Sequence, residues 1–597
     1  MLGWNFPEQQ KQGVQSTVHY FEQEAASLAQ SATELQSGIA AINHADNASI
    51  ARAQKALAGC RQDYKKIEFF LTYFFPSPAK IYNAPAEYEV EEPSLEFQEP
   101  MGLQQIESLL FQENPADHKK ELLVQAEAVS ASARDLRSLL YKFETNDAQI
   151  LEALRIELIR VMALSITGYD APQLKTGIKE AYQAVFSLQQ VLKIYLKNKQ
   201  PQHEKLKQQI EATLAYLALN EDFDTFDRLA FLTRFGLPLQ KQLGLVIADL
   251  GLEINTNKFL NYKAEHLFSK TALNVKAFNG NDTVSEPLLL LGEKLFSEKA
   301  LSGDNTRSCK SCHQPENYFA DKLPQNFAMN GHAVLKRNTP GLLYSSLQHA
   351  QFWDGRSASL TDQIATVILD AEEMNGNDAN VRQYLSGDKP YQVAFSKAFP
   401  GTEAKDITLK HIAKAISAYV GSLNPMNSAF DLYLQGNKQA LNQDQINGFN
   451  IFTGKAKCAT CHFMPLFNSL LPPDYSLTEY ENIGITASDD FTQPIMDEDL
   501  GRYKQYPVKF YRNAFKTPTV RNAAQTAPYM HNGNFKDLKA VMDFYNNGGG
   551  HGLGLKNELQ TLSAEPLNLT EKESDNIIQF IQALTDQLPN NNSTQLN

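Results

Sequence analysis

The sequence predicts a mainly α protein: an N-terminal helical bundle followed by two smaller domains of short helices and long loops. Three observations carry that expectation. Apolar residues recur at steps of four and three from Val14 to Ile42, the pentapeptides CKSCH and CATCH stand far apart in the second half, and no strand-like alternation of any length precedes residue 280.

The first element is the long N-terminal repeat. Val14, Val18, Phe21, Ala25, Leu28, Ala32, Leu35, Ile39 and Ile42 draw one narrow stripe on a helix, a seam rich in small residues that marks packing in a bundle. Helical periodicity returns at about 48–75, 102–112, 117–143, 147–167, 172–198 and 203–220. The intervening NAPAEYEVEEPSLEFQEP (83–100) is acidic, carries prolines and lacks a period, so it reads as a loop. Gly, Asn and Pro break the pattern in NVKAFNGNDTVSEP and place a boundary near 265–285. The domains are therefore expected at 1–270, 285–445 and 446–590, with a polar, frayed tail PNNNSTQLN.

Composition narrows the class. A chain of 597 residues is too long for one hydrophobic core. Hydrophobic content of 43% and charged content of 21% fit a folded globular protein. A net charge of −13 excludes nucleic acid as a partner, because phosphate binding needs a basic surface; an acidic surface could instead steer a basic electron donor. No apolar run is long enough to cross a bilayer as a helix.

The five cysteines carry the chemistry. Cys309, Cys312, Cys458 and Cys461 form two C-x-x-C pairs, each followed at once by a histidine, His313 and His462. Two thiols at this spacing add to the two vinyl groups of haem, and the adjacent histidine is placed to ligate the iron, so the cofactors are two covalently bound haem c. Zinc shared by the four cysteines is the alternative, but it needs no trailing histidine. Cys60 stands alone and reads as a small buried apolar residue. Bacterial c-type haem is attached outside the cytoplasmic membrane. The start MLGWNFPEQQ has neither a basic nor an apolar leader segment, so a periplasmic chain whose export signal has been removed is expected, with lipid anchoring compatible.

The motifs around the pentapeptides sharpen this. RNTPGLLYSSLQHAQFWDGRSASLTDQIATVILDAEEMN follows the first, while ENIGI, DLGRY and FKTPTVRNAAQTAPYMHNGNFKDLKAVMDFYNNGG follow the second. Taken with C-x-x-C-H twice, residues 285–590 resemble the bacterial di-haem cytochrome c peroxidase and MauG family. The resemblance implies an oxidoreductase that uses hydrogen peroxide, with the first haem (Cys309, Cys312, His313) peroxidatic and the second (Cys458, Cys461, His462) electron-transferring. It places Trp353 between the haems; the only other tryptophan is Trp4. It places Gln363 and Glu373 over the open face of the first haem, with Glu373 as the proton carrier and Glu372 as its adjacent competitor. A calcium ion between the haem domains would take Asn338, Thr526 and Pro528 as ligands. His332 stands near the position of a switchable ligand to the first iron, although a surface loop histidine fits its loop length better.

The second iron poses a choice. The position where peroxidases of this family carry a methionine falls on Tyr545, which is the MauG residue, while Met542 lies one turn earlier and Met530 in the preceding loop. Thioether favours reduced iron, whereas phenolate oxygen stabilises oxidised iron. Against the MauG likeness, the surface tryptophan through which MauG acts on its protein substrate is replaced by Ala456. The resemblance implies as partners a small redox protein as donor, or a protein substrate. In the first domain, CRQDYKKIEFFLTYFFP and PMGLQQIESLLF resemble imelysin-like helical domains of the bacterial envelope, with Gln104 where their motif has histidine and Glu107 retained. A docking or scaffold role is expected there.

Overall fold

The structure, a computed structural model, describes residues 6–91, 94–197, 200–255, 258–280 and 283–588. Trp4 and the tail 589–597 lie outside the described residues. By contacts the chain divides into two compact units: Met1–Ala272 with Phe452–Thr460 and Pro472–Asp474, and Leu273–Ile451 with Cys461–Leu471 and Tyr475–Asn597. Both are mainly α-helical, as the periodicity predicts; the strands among the described residues are pairs of two or three residues.

In the first unit the helix Phe6–Ala40 packs on Asn47–Lys65 and Lys119–Asp135. Phe21, Ala25, Leu28, Ala32, Leu35, Ile39 and Ile42 are all buried, so this part of the stripe read from the sequence is the packed seam, while Val14 and Val18 at its start are half-buried. Further helices follow at Leu103–Leu110, Asp147–Arg160, Gly177–Leu192 and Pro201–Leu219. A helix at Leu237–Asp249 lies beyond the last periodic segment. The segment 83–100 departs from its expected loop. Glu89–Glu91 pairs antiparallel with Glu96–Gln98, in register Val90 to Phe97. EVE and EFQ do alternate, but three residues are too few to stand out as a period.

The middle of this unit is polar. Arg61 holds Glu180 through two contacts, Nε to Oε1 at 2.9 Å and Nη2 to Oε2 at 3.0 Å, with both side chains fully buried. Lys65 Nζ donates to Glu68 Oε2 at 2.6 Å and to Asp170 Oδ2 at 2.7 Å. The GLQQIE stretch joins this network: Gln104 donates to the Asn83 carbonyl at 3.2 Å, and Glu107 Oε1 accepts from the amides of Gln173 and Leu174 at 2.7 and 2.9 Å. Among the described residues no group of three or more His, Cys, Asp and Glu side chains is placed to hold a metal ion. Internal cations occupy the space instead. Replacing Arg61 with alanine leaves Glu180 buried without its partner, a loss of roughly 3–5 kcal/mol. Urea unfolding followed by far-ultraviolet circular dichroism reads it, and a loss below about 1 kcal/mol would contradict the burial of the pair.

The second unit repeats one arrangement twice. The helix Glu286–Phe296 crosses Leu409–Gly421 so closely that a Cβ on Gly292 would stand 2.0 Å from the Ala415 carbonyl oxygen. The helix Gln443–Thr453 crosses Glu571–Ala583 in the same way, with a Cβ on Gly448 at 1.9 Å from Asn576 O. In each crossing the first helix precedes one C-x-x-C-H in the chain and the second follows it, and only glycine permits the approach. Phe430, Phe449 and Phe580 fill the second crossing, with ring centroids 5.2–5.4 Å apart. The long loops are tied by a two-residue ladder, Tyr480–Glu481 against Phe515–Lys516.

Candidate functional site

Ser308 caps the helical turn Cys309–Cys312 through a capping box with Ser311, which puts both thiols on one short turn. His313 then leaves the helix, and its Nδ1 lies 3.0 Å from the Phe319 carbonyl oxygen. A carbonyl can only accept, so Nδ1 carries the proton and Nε2 keeps a free lone pair. The second motif does the same. His462 Nδ1 meets the carbonyl oxygens of Pro518 at 3.0 Å and Phe467 at 3.2 Å, and burial pushes its pKa down to about 4. The four motif cysteines are free thiols, and they do not converge with other ligands on a metal-holding group among the described residues. Two separate turns, each with two thiols and one neutral imidazole, fit covalent haem and not a shared zinc.

Later in the chain than the first motif, Ser359 caps the helix Leu360–Leu369 that carries Gln363. The Gln363 backbone amide donates to Ser359 O at 3.0 Å, while its side-chain amide makes no hydrogen bond among the described residues. The helix ends in a turn in which Asp370 Oδ1 accepts from the amides of Glu372 at 2.8 Å and Glu373 at 3.2 Å. Glu372 is exposed, whereas Glu373 is half-buried. Burial, and then Asp370, push the Glu373 carboxyl up to about 7 against the pull of Arg356. The Glu373 backbone carbonyl accepts from Arg307 Nη1 at 3.4 Å, which ties it to the chain two residues before Cys309. His332 lies exposed at the tip of a hairpin.

Trp353 sits in a tightly held loop. Its indole N–H donates to the Asn338 carbonyl at 2.9 Å, and its own carbonyl accepts from the Lys516 amide at 2.8 Å. Next to it, Asp354 is gripped by Arg337 at 2.6 Å and Arg356 at 3.0 Å. Gly355 has φ +66°, and a Cβ there would stand 2.2 Å from the Tyr480 hydroxyl. The Asn338 side-chain amide nitrogen donates to Leu323 O at 2.9 Å and Pro324 O at 3.3 Å, which turns its oxygen the other way. Thr526 comes to the same neighbourhood, its methyl 3.6 Å from the Cβ position of Gly341. The Asn338 amide also donates to the His531 carbonyl at 2.8 Å, three residues beyond Pro528.

Asp537 caps the helix Leu538–Asn546. Met542 is buried at 4% exposure, while Tyr545 and Met530 are only partly buried, against a cluster of Ile485, Phe535, Ala540 and Phe544. Ala456 is buried at 4%.

The family model of di-haem cytochrome c peroxidases matches residues 286–439. Cytochrome-c peroxidase IdrP2 of Denitromonas iodatirespirans is 32% identical over 309 residues, which cover 49% of this chain and 80% of that protein. The chain belongs to the di-haem cytochrome c peroxidase family. Methylamine utilization protein MauG of Methylorubrum extorquens is 32% identical over 296 residues, covering 49% of this chain and 77% of its own. Among solved structures, a MauG-like protein associated with microbial copper homeostasis matches at TM-score 0.46 and 28% identity, over 52% of this chain and 92% of its own. As a member of this family the chain is a di-haem peroxidase-like or MauG-like oxidoreductase carrying covalently bound haem c.

Sequence reasoning passed over three cations of the site. Arg356 moderates Glu373, Arg307 binds backbone carbonyls beside it, and Lys516 is buried with its pKa pushed down to about 8. Arg356 follows directly on the tryptophan loop and could have been flagged by that position. Nothing in the sequence distinguishes Arg307 or Lys516 from surface charges.

Proposed function

We propose that the protein reduces hydrogen peroxide in the periplasm, with peroxide taken at the first haem site and the second haem storing the other oxidising equivalent. Glu373 carries this reading, as a half-buried carboxyl whose backbone is tied to Arg307, two residues before Cys309, with its pKa raised to about 7, mainly by burial. Haem held by Cys309, Cys312 and His313 supplies the iron that takes up peroxide and the electrons that reduce it. The chain's own contribution is protonic. A Glu373 carboxylate oxygen takes the proton of one peroxide oxygen and returns it to the other, and a pKa near working pH suits a group that must do both. The Gln363 side-chain amide, uncommitted elsewhere, orients the peroxide. Trp353, fixed by the Asn338 carbonyl, lies on the electron route between the two haem sites.

Stoichiometric peroxide added to the haem-loaded protein tests the reading. A rapid change in a high-spin signal, read by optical and EPR spectroscopy, supports it. No change would leave a plain electron-transfer cytochrome. Steady turnover with a reduced small redox protein distinguishes a peroxidase from a MauG-like oxidase that modifies a partner protein. Tyr545 favours that second reading, and the buried Ala456 weighs against it.

Asn338, Thr526 and Pro528 are the proposed calcium ligands, a set of neutral oxygens suited to a hard cation of modest affinity. N338A is expected to lose the calcium found by elemental analysis, and N338D to bind it more tightly by adding charge. Unchanged calcium in N338A would remove Asn338 from the set. The N-terminal bundle is read as an imelysin-like scaffold, because the Gln104 side-chain amide and Glu107 Oε1 are engaged in internal hydrogen bonds.

A further inference from the structure

The turn that carries Glu373 is wired to the segment containing the first haem motif by three successive carbonyls. Glu372 O accepts from the Met329 amide at 2.7 Å, Glu373 O from Arg307 Nη1 at 3.4 Å, and Met374 O from the Gly303 amide at 2.9 Å. Two of these donors are backbone. The third is a side chain, and it reaches further. Arg307 Nη1 also donates to Phe327 O at 2.9 Å, and Nη2 to Ala328 O at 2.8 Å. Phe327 and Ala328 open the hairpin that carries His332, closed by Leu335 N to Asn326 O at 2.7 Å and Ala328 N to Ala333 O at 2.8 Å. Arg307 itself is anchored two residues before Cys309, its amide donating to Ser302 Oγ at 3.1 Å.

Among the described residues this arginine forms no ion pair with a carboxylate. It spends its guanidinium on three backbone carbonyls from two segments that are otherwise joined by the hydrogen bond from the Met329 amide to Glu372 O. A planar fork with several N–H donors can do this, whereas a lysine ammonium on a flexible stem lacks the fixed geometry.

We infer that Arg307 is a positioning residue for the peroxide reaction, locking the Glu373 turn and the 326–335 hairpin as one body onto the strand of chain that leads into the first haem-attachment turn. The inference rests on the proposed role of Glu373, but its mechanical half stands without it. The hairpin and the turn are coupled through this side chain beside the single Met329–Glu372 backbone hydrogen bond, so releasing the side chain loosens both together. It also holds the His332 hairpin against the Glu373 turn, with His332 at its exposed tip.

The experiment compares haem-loaded wild type, R307K and R307A by backbone hydrogen exchange and by the pH profile of the reaction with peroxide. In R307A, amides of 326–335 and of 370–376 are expected to exchange roughly five- to tenfold faster, the scale of about one lost hydrogen bond, while those of the second haem motif stay unchanged. The group of apparent pKa about 7 governing the peroxide rate moves toward the ordinary glutamate value as Glu373 gains water, with R307K between the two. Faster exchange confined to the hairpin, with 370–376 and the pH profile unmoved, would overturn the inference and leave Arg307 as a staple of the hairpin alone. If wild type does not react with peroxide, the functional proposal fails while the exchange comparison still decides the coupling. Should R307A not accumulate with haem, R307Q carries the same measurements.

Discussion

Replacing Glu373 with glutamine is expected to lower the second-order rate with hydrogen peroxide by about 10²–10⁴-fold, the usual worth of a positioned general acid–base group. Glutamine keeps the shape and can still hydrogen-bond, so what it removes is the capacity to hold a proton. The wild-type pH profile supplies the sign. As the proposed acceptor of the peroxide proton, Glu373 would act only when ionised, and burial raises its pKa to about 7, so the wild-type rate is expected to fall as pH drops through that value. The E373Q rate has no such limb. Glu372→Gln is the control, because that side chain is exposed, and it should stay within about twofold of wild type. Haem content and the spectrum of the second haem serve as checks on folding. An E373Q rate within about threefold of wild type would remove Glu373 from the mechanism. The same pKa carries a stability consequence. A carboxyl raised from 4.5 to about 7 holds a proton in the folded state that the unfolded chain has released, so folding stability declines as pH rises across that interval.

How far the sequence reached depended on the kind of signal each feature leaves. The seam from Phe21 to Ile42 was legible because a periodic stripe repeats its message many times. The strand pair 89–91 with 96–98 was not, because two three-residue strands repeat theirs hardly at all. Glu372 and Glu373 are identical neighbours, and only the turn built on Asp370 leaves one exposed and the other half-buried. Lys65 and Lys66 make the same point in the bundle. The first is fully buried between Glu68 and Asp170, and the second keeps 22% of its side chain exposed, yet the string KK gives no sign of it. The haem motifs were legible for a chemical reason: covalent attachment demands fixed residue types at a fixed spacing. What supports them, carbonyl acceptors for His313 and His462 and carbonyl clamps from Arg307, is backbone chemistry that any residue can provide.

Replacing Tyr545 with methionine is expected to raise the midpoint potential of the second haem by on the order of a few hundred mV, a fraction of the roughly 0.8 V that axial ligands span. It should also introduce the near-infrared absorption of methionine-ligated ferric haem. The physical basis is the donor atom. A phenolate oxygen carries negative charge and stabilises the oxidised metal, whereas a neutral thioether favours the reduced one. Burial argues for which of the two helix residues is placed to act. Met542 is 4% exposed, so its sulfur is enclosed by protein, while Tyr545 retains exposed surface at the edge of the Ile485–Phe535–Phe544 cluster. Met542→Leu, nearly equal in volume, should therefore leave both potential and spectrum unchanged at a cost below about 1.5 kcal/mol. Near-infrared methionine absorption already present in the wild type, and abolished by M542L, would transfer the assignment to Met542. The two outcomes imply different enzymes. Were Tyr545 to ligate the iron of a bound second haem, its phenolate would stabilise the oxidised group, which favours MauG-like chemistry. Were Met542 the ligand, its thioether would favour the reduced group, and rapid turnover with a reduced donor would be expected.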